Sequence, residues 1–304
     1  MRARLPLTVV LVSALAGCGR SQWPEPPPVD QAQYQKTYAE WRDGQQETAA
    51  YAIRILGIWP LQDGDTPFGA DPSLPIVLPA AAAPGRAGVF RRAGEKVTVI
   101  PAPGAPLRTA DGASVTGPAE IDNELALGSV HLQVIDMGKG RRFVSAADDN
   151  HPALENLPMV ETYPLDARWR VAARFDAFDA PKPVRVPDVR GGVVDFFARG
   201  QLVFKVNEQE LRLTALGEPE SSELFVMFKD ETNGSTTFGG YRLLSAAVVP
   251  NGEWTVLDFN LAGNPPCAYS SYTTCPLPPP ENRLTVAIEA GEKRFPAAQE
   301  LSHQ

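Results

Sequence analysis

The chain has 304 residues, of which 28 are Lys or Arg and 36 are Asp or Glu, so its formal net charge is −8. This acidic balance excludes the basic surface that a nucleic-acid-binding protein needs, and we expect no nucleic-acid partner. Apolar residues make up 43% of the chain, which excludes global disorder. Thirty Pro and 25 Gly favour turns and short strands over long helices.

The N-terminus has the pattern of a bacterial lipoprotein signal peptide. Arg2 and Arg4 precede an apolar run over residues 5–15, which is too short to span a bilayer. The run ends in Leu-Ala-Gly-Cys, which resembles a lipobox, the motif whose cysteine is acylated when the peptide before it is removed. We predict a signal peptide over 1–17 and acyl chains on Cys18 that attach the protein to a membrane. The alternative is a chance cysteine beside an ordinary cleavage site.

The location follows from this prediction. Gly19, where an aspartate would favour retention in the inner membrane, favours the outer membrane, with the protein facing the periplasm. Residues 18–30 contain four prolines and cannot form a core, so we predict an extended, solvated tether. A proline segment that binds a partner is the alternative.

A helix is predicted after the tether. Asp30 is suited to cap a helix that runs to about Leu56, and Tyr34, Tyr38 and Trp41 follow one another at helical spacing. We interpret this aromatic stripe as a face that packs on the core rather than as a ligand platform.

Beyond residue 60 the pattern changes to short strands separated by turns. Alternation is clearest over 202–206 and 210–213, and the intervening 207–209 has the composition of a hairpin turn. No helical pattern separates the strands, so we predict a mostly β protein with a minor N-terminal α-helix and an antiparallel sandwich or barrel-like architecture. The predicted strands are 87–92, 95–100, 130–135, 142–146, 168–175, 184–189, 192–198, 201–206, 209–216, 223–229, 253–259 and 283–289.

The domain boundary is placed in the polar, proline-marked stretch near 150–165. Residues 31–150 are predicted to hold the helix and a small β sandwich. Residues 151–295 are predicted to form a larger β domain, and 296–304 a flexible tail.

Three stretches resemble a known family. Residues 253–291 contain the run LDFN followed by NPPCAYSSYTTCPLPPPENRL. The earlier stretches are FVMFKDETNGSTTFGGYRLL near 225–244 and WPLQDGDTPFGADPSLPIVLP over 59–79. Together they resemble the family called domain of unknown function 1684, over roughly residues 30–291. The resemblance implies no reaction, cofactor or partner.

Cys267 and Cys275 lie eight positions apart in a proline-rich loop. In an oxidising periplasm a disulfide is the simplest state of such a pair. Reduced structural thiols, a metal or redox site and a nucleophilic cysteine remain open, although His131, His151 and His303 have no ligand spacing to the pair. Family members without an export signal share the pair, which argues for the reduced alternative. We expect no metal and no cofactor.

Polar residues around this loop form the candidate pocket. They combine carboxylates, amides and guanidinium groups, which are suited to line a ligand site. The competing interpretation is that they bond to the loop's own backbone, because prolines lack N–H donors. We also expect Asp230 to pair with Arg242. The candidate residues are Arg242, Asp258, Asn260, Asn264, Glu281, Asn282 and Arg283.

The sequence leaves two functional hypotheses. The first is a lipid-anchored binding or structural module of the cell envelope, with the membrane and an unknown small molecule or envelope protein as partners. The second is a hydrolase-like enzyme for a small ligand that uses Asp258, Glu281 and Arg283. We favour the first, because none of the common catalytic motifs is present.

Overall fold

The computed structural model describes residues 23–121, 124–137, 140–188, 193–273 and 275–296. The predicted signal peptide and the acylation site at Cys18 lie outside the described residues, as does most of the predicted C-terminal tail. In the part of the chain that the structure describes, no helix is long and apolar enough to cross a bilayer.

The predicted helix is confirmed as α1 (Gln31–Arg54). The side chain of Asp30 caps it by accepting a hydrogen bond of 2.8 Å from Gln33 N. The helix contacts the later half of the chain, because Gln46 Oε1 accepts from Val160 N at 2.8 Å and Tyr38 is hydrogen-bonded to Thr162. These contacts were not evident from the sequence, which places α1 beside the strands of the first half.

Residues 55–148 form a sandwich. Its strands in the described chain are β1 (Ile55–Pro60), β2 (Gly64–Gly69), β3 (Ile76–Val77), β4 (Gly88–Ala93), β5 (Lys96–Pro101), β6 (Leu107–Thr109), β7 (Ala119–Glu120), β8 (Glu124–Leu127), β9 (Val130–Asp136) and β10 (Arg142–Asp148). One sheet has the order β1-β10-β9-β8-β6 and the other β3-β2-β4-β5-β7. Both supply side chains to one apolar core, in which Phe68 stacks on Phe90 at 4.5 Å between ring centroids.

Residues 170–258 form a third sheet, here called the barrel sheet. Its strands are β11 (Arg170–Pro187), β12 (Val193–Val206), β13 (Gln209–Leu216), β14 (Glu223–Phe228), β15 (Arg242–Ala247) and β16 (Trp254–Asp258), in the order β15-β14-β13-β12-β11-β16. The sheet curls until its edge strands approach each other, and Thr255 Oγ1 on β16 donates to the carbonyl oxygen of Ala247 on β15 at 3.1 Å. The predicted mostly β, antiparallel, barrel-like fold is confirmed.

Local turn chemistry explains the β12–β13 hairpin. Asn207 and Glu208 have φ values of 49° and 62°, and two such residues give the tight turn that matches the twist of paired strands. The prediction of a strand over 283–289 is wrong. These residues alternate apolar and polar side chains, but apart from a bridge between Lys229 and Arg283 they pair with no strand of the described chain. Their apolar side chains instead enter the barrel core.

Residues 23–30, here called the strap, differ from the solvated tether expected for this region. The ring of Trp23 packs edge-on against Trp254 with centroids 5.2 Å apart, and Lys205 Nζ lies 5.5 Å from the centroid of Trp23. Arg170 Nη1 donates to the carbonyl oxygen of Pro27 at 3.1 Å. The prolines keep the segment extended, while its aromatic ring and a carbonyl attach it to the barrel sheet.

Candidate functional site

A cleft of about 470 Å³ lies between α1 and the barrel sheet, and it is the candidate functional site. Its apolar wall consists of Trp41, Phe225, Leu243, Leu244 and Leu261. Its polar groups come from Gln45, Ser245, Asp258 and Asn264, with Gly263 between them. Small-molecule sites in proteins have this size and this combination of apolar walls with a few polar groups.

Asp258 is held in place at one side of the cleft. It ends β16, and its carboxylate accepts hydrogen bonds from Tyr34 Oη at 2.8 Å and from Arg170 Nε at 3.2 Å. The side chain of Asp258 is 14% exposed and that of Arg170 13%. Burial and the adjacent carboxylate of Asp258 raise the pKa of the Tyr34 hydroxyl above its usual range, so Tyr34 remains a donor.

Asn264 forms another part of the wall and is held by the buried Glu292. Asn264 N and Nδ2 donate to the two carboxylate oxygens of Glu292 at 2.8 and 2.7 Å, and Tyr269 Oη donates to the same carboxylate at 2.6 Å. Burial raises the pKa of Glu292, although these donors oppose the shift. Because Nδ2 of Asn264 has two acceptors, Glu292 and the carbonyl oxygen of Lys293, the orientation of the amide is defined. Asn264 Oδ1 is buried and has no hydrogen-bond partner among the described residues.

Residues 281–292, here called the clasp, run into the barrel core, where Leu284, Ile288 and Ala290 are buried. Asn282 is 1% exposed and bonds to the backbone of two strands. Its Oδ1 accepts from Thr214 N at 2.7 Å, and its Nδ2 donates to the carbonyl oxygens of Thr214 and Met227 at 2.9 and 3.0 Å. These side-chain bonds add to the backbone bonds of the bridge between Lys229 and Arg283, where Leu284 N donates to the carbonyl oxygen of Lys229 at 2.7 Å, so the clasp is held in place without forming a strand.

The expected pair of Asp230 and Arg242 is present, and both side chains are 0% exposed. Arg242 Nη2 donates to Asp230 Oδ2 at 2.6 Å and to the carbonyl oxygen of Ile288 at 2.9 Å, while Nη1 donates to the carbonyl oxygen of Ala290. Asp230 Oδ1 accepts from Ile288 N at 3.2 Å. The pair therefore fixes the clasp by its backbone, and it has no access to the cleft.

The seven candidate residues occupy three environments. Asp258 and Asn264 line the cleft. Arg242, Asn260 and Asn282 are buried, and their side chains are hydrogen-bonded to backbone groups. Asn260 bonds to the N–H and to the carbonyl oxygen of Asp166, at 3.1 and 3.0 Å. Glu281 and Arg283 are exposed and do not line the cleft; Glu281 accepts from Thr214 Oγ1 at 3.2 Å. The structure thus does not bring Asp258, Glu281 and Arg283 together in this cleft.

Sequence reasoning missed the residues that complete the site. Trp41 was assigned to a core face, and Gln45 was not singled out, although one turn of helix separates them and both line the cleft. Glu292 lies just past the motif that ends at residue 291. Its sequence neighbours include Glu289, Lys293 and Arg294, so nothing in the sequence distinguishes it from an exposed charged residue.

The remaining reactive groups are the cysteine pair and the side chains that could bind a metal ion. The Sγ atoms of Cys267 and Cys275 lie at disulfide distance, with Cα atoms 6.1 Å apart. Cys275 is buried against the outer face of the barrel sheet, together with Met227 and Tyr241. In the described residues, no group of three or more His, Cys, Asp or Glu side chains is arranged to hold a metal ion.

Comparison with known proteins assigns a family to the C-terminal half of the chain. A family model described as protein of unknown function (DUF1684) matches residues 155–293, which include two of the three stretches that carry the resemblance but not 59–79. A solution NMR structure of an uncharacterized protein from Haloarcula marismortui is similar at 30% identity and a TM-score of 0.40, covering 46% of this chain and 78% of that one. No match was found among curated proteins. Through residues 155–293, the chain belongs to the DUF1684 family of proteins of unknown function.

Proposed function

We propose that this chain is a lipid-anchored protein of the bacterial envelope that binds a small molecule in the cleft beneath α1. The observation that carries the binding role is the cleft itself, whose apolar wall is interrupted by the polar side chains of Gln45, Ser245, Asp258 and Asn264. A few polar groups in an otherwise apolar wall can fix the orientation of a ligand by hydrogen bonds. The apolar wall suits the remainder of such a ligand.

The same contacts favour binding over catalysis. A general base needs a carboxylate that is free to accept a proton from the substrate. Asp258 is already engaged by Arg170 and Tyr34, and Glu292 lies behind Asn264 with its oxygens occupied by donors. These groups are arranged to hold the wall of a site.

The binding role is tested with N-phenyl-1-naphthylamine, a neutral dye with an N–H donor whose fluorescence rises in apolar surroundings. The protein is expected to bind the dye at one saturable site. Leu243→Trp, which fills the cleft, should weaken binding at least tenfold, while Val77→Trp on the exposed part of the sandwich should leave binding unchanged. Equal binding by the two variants, or no saturable site, would contradict the proposal.

The anchor is tested separately. The protein isolated from bacterial membranes should begin at Cys18 and carry the mass of its acyl chains, and Cys18→Ser should yield protein without that mass. A mature chain that begins elsewhere would show that the lipobox interpretation is wrong.

A further inference from the structure

The strap determines how far the barrel sheet can lie from the acylation site. Trp23 contacts Trp254 and Lys205, and the next attachment is at Pro27. Only four residues therefore lie between Cys18 and Trp23, which makes five steps from one Cα atom to the next. An extended chain spans at most about 3.6 Å per residue, so this distance is at most about 18 Å. A free tether from residue 18 to residue 30 would reach about 43 Å by the same measure.

Trp23 sits on the outer face of the barrel sheet. One row of paired residues crosses four strands there, with Trp254 opposite Arg174, Arg174 opposite Val203, and Val203 opposite Arg212. We call this outer surface the strap face and define it by Trp23, Trp254, Arg174, Lys205 and Arg212.

The side chains of the strap face suit the surface of a bilayer. Its two indole rings are of the kind that concentrates at membrane–water interfaces, and its cations are partly exposed, with Arg212 at 51%. Each cation also has an acidic neighbour: Asp176 for Arg174, Glu210 for Arg212 and Glu208 for Lys205. The face is therefore electrically mixed, and its attraction to anionic lipid is small. The short reach from the acyl chains is what brings it to the membrane.

We propose that the strap face lies against the headgroups of the leaflet that holds the acyl chains of Cys18. This rests on the proposed anchor and adds an orientation to it. The barrel does not swing on a long tether, because residues 23–30 are attached to it. The side of the barrel that carries β14 and β15 consequently faces away from the membrane.

The experiment compares two labelled sites on the lipidated full-length protein in vesicles of phosphatidylethanolamine and phosphatidylglycerol. Glu210→Cys places a fluorophore on the strap face. Glu223→Cys places one on the outer face of β14, opposite Ala247. β14 is next to β13, but Leu216 is opposite Phe225, so in this register residues 210 and 223 lie eight residues apart along the strands. Both glutamates are exposed; because Glu210 pairs with Arg212, the ratio is also measured in neutral phosphatidylcholine vesicles, where loss of that carboxylate adds no attraction to the lipid. Quenching by a lipid with a nitroxide on its headgroup is expected to be at least threefold stronger at 210 than at 223.

A lengthened linker provides the control. Twelve Gly and Ser residues inserted after Gly19 should reduce the ratio below about 1.5, because the added chain frees the barrel from the bilayer while leaving every contact of the strap intact. Equal quenching at the two sites in the acylated wild type, or a ratio unaffected by the insertion, overturns the orientation but leaves the anchor. A protein without acyl mass on Cys18 overturns both.

Discussion

The buried pair of Arg242 and Asp230 offers the sharpest test of how the clasp is held. In Arg242→Met the side chain keeps its approximate volume but loses its charge and its donors. Asp230 then remains buried without its cation, and the carbonyl oxygens of Ile288 and Ala290 lose their hydrogen bonds.

The expected cost follows from these contacts. Removal of one partner from a fully buried ion pair costs about 3–5 kcal/mol, because an uncompensated charge remains in a poorly solvated site. The loss of hydrogen bonds at the two carbonyl oxygens increases this free-energy cost if water cannot reach them. We expect the free energy of unfolding to fall by at least about 3 kcal/mol, a large share of the stability of an ordinary domain.

The assay is urea unfolding followed by tryptophan fluorescence, together with hydrogen exchange at Ile288 and Leu284 of the clasp. Arg283→Met is the matched control, because Arg283 belongs to the same motif but is exposed, and its substitution should change stability by less than about 0.5 kcal/mol. Exchange at Ile288 should accelerate in Arg242→Met only. A loss below about 1 kcal/mol in Arg242→Met, or equal losses in the two variants, would refute the view that the buried pair fixes the clasp.

Two further outcomes are expected. Partial burial alone would lower the pKa of His131, but its hydrogen bonds to Glu124 and Asp149 raise the pKa above the usual value. His131 therefore adds stability below about pH 6.5, and this contribution disappears as the pH rises through the folded-state pKa. His131→Gln should abolish this contribution when the free energy of unfolding is measured at about pH 5.5 and 8.5. Cys267→Ser should lower the unfolding free energy by about 2.6 kcal/mol if the pair with Cys275 is oxidised, and a thiol titration that finds both cysteines reduced would remove that expectation.

The elements that the sequence predicted correctly are those determined by neighbouring residues. Asp30 caps α1 through a donor three residues away, and the turn at Asn207 and Glu208 depends on local backbone conformation. The strand predicted over 283–289 was wrong because the environment of this segment is determined by residues far away in the chain. A period of two places Leu284 and Ile288 on one side of an extended chain, but whether that side packs in a sheet or in a core depends on distant partners.

For the candidate site, too, one part could be predicted from the sequence and another could not. The motif around 258–283 indicated which residues have polar side chains, but nearness in sequence does not determine which way a side chain points. Asp258 and Asn264 reach the cleft, whereas Asn260 bonds to the backbone of Asp166 and Asn282 to the backbone of two strands. The other wall of the cleft comes from α1, more than 200 residues earlier in the chain, and no local pattern could assign it.

Composition, alternation and motifs are properties of short stretches, and they were enough to predict the strand-rich character of the chain, its N-terminal helix and its membership of a family. Three arrangements became visible only in the folded protein: α1 closes a cleft against the barrel sheet, a proline-rich segment lies on that sheet, and a buried ion pair holds the clasp. These arrangements depend on contacts between residues far apart in the chain, whose free energies depend on burial and geometry that exist only once the chain has folded.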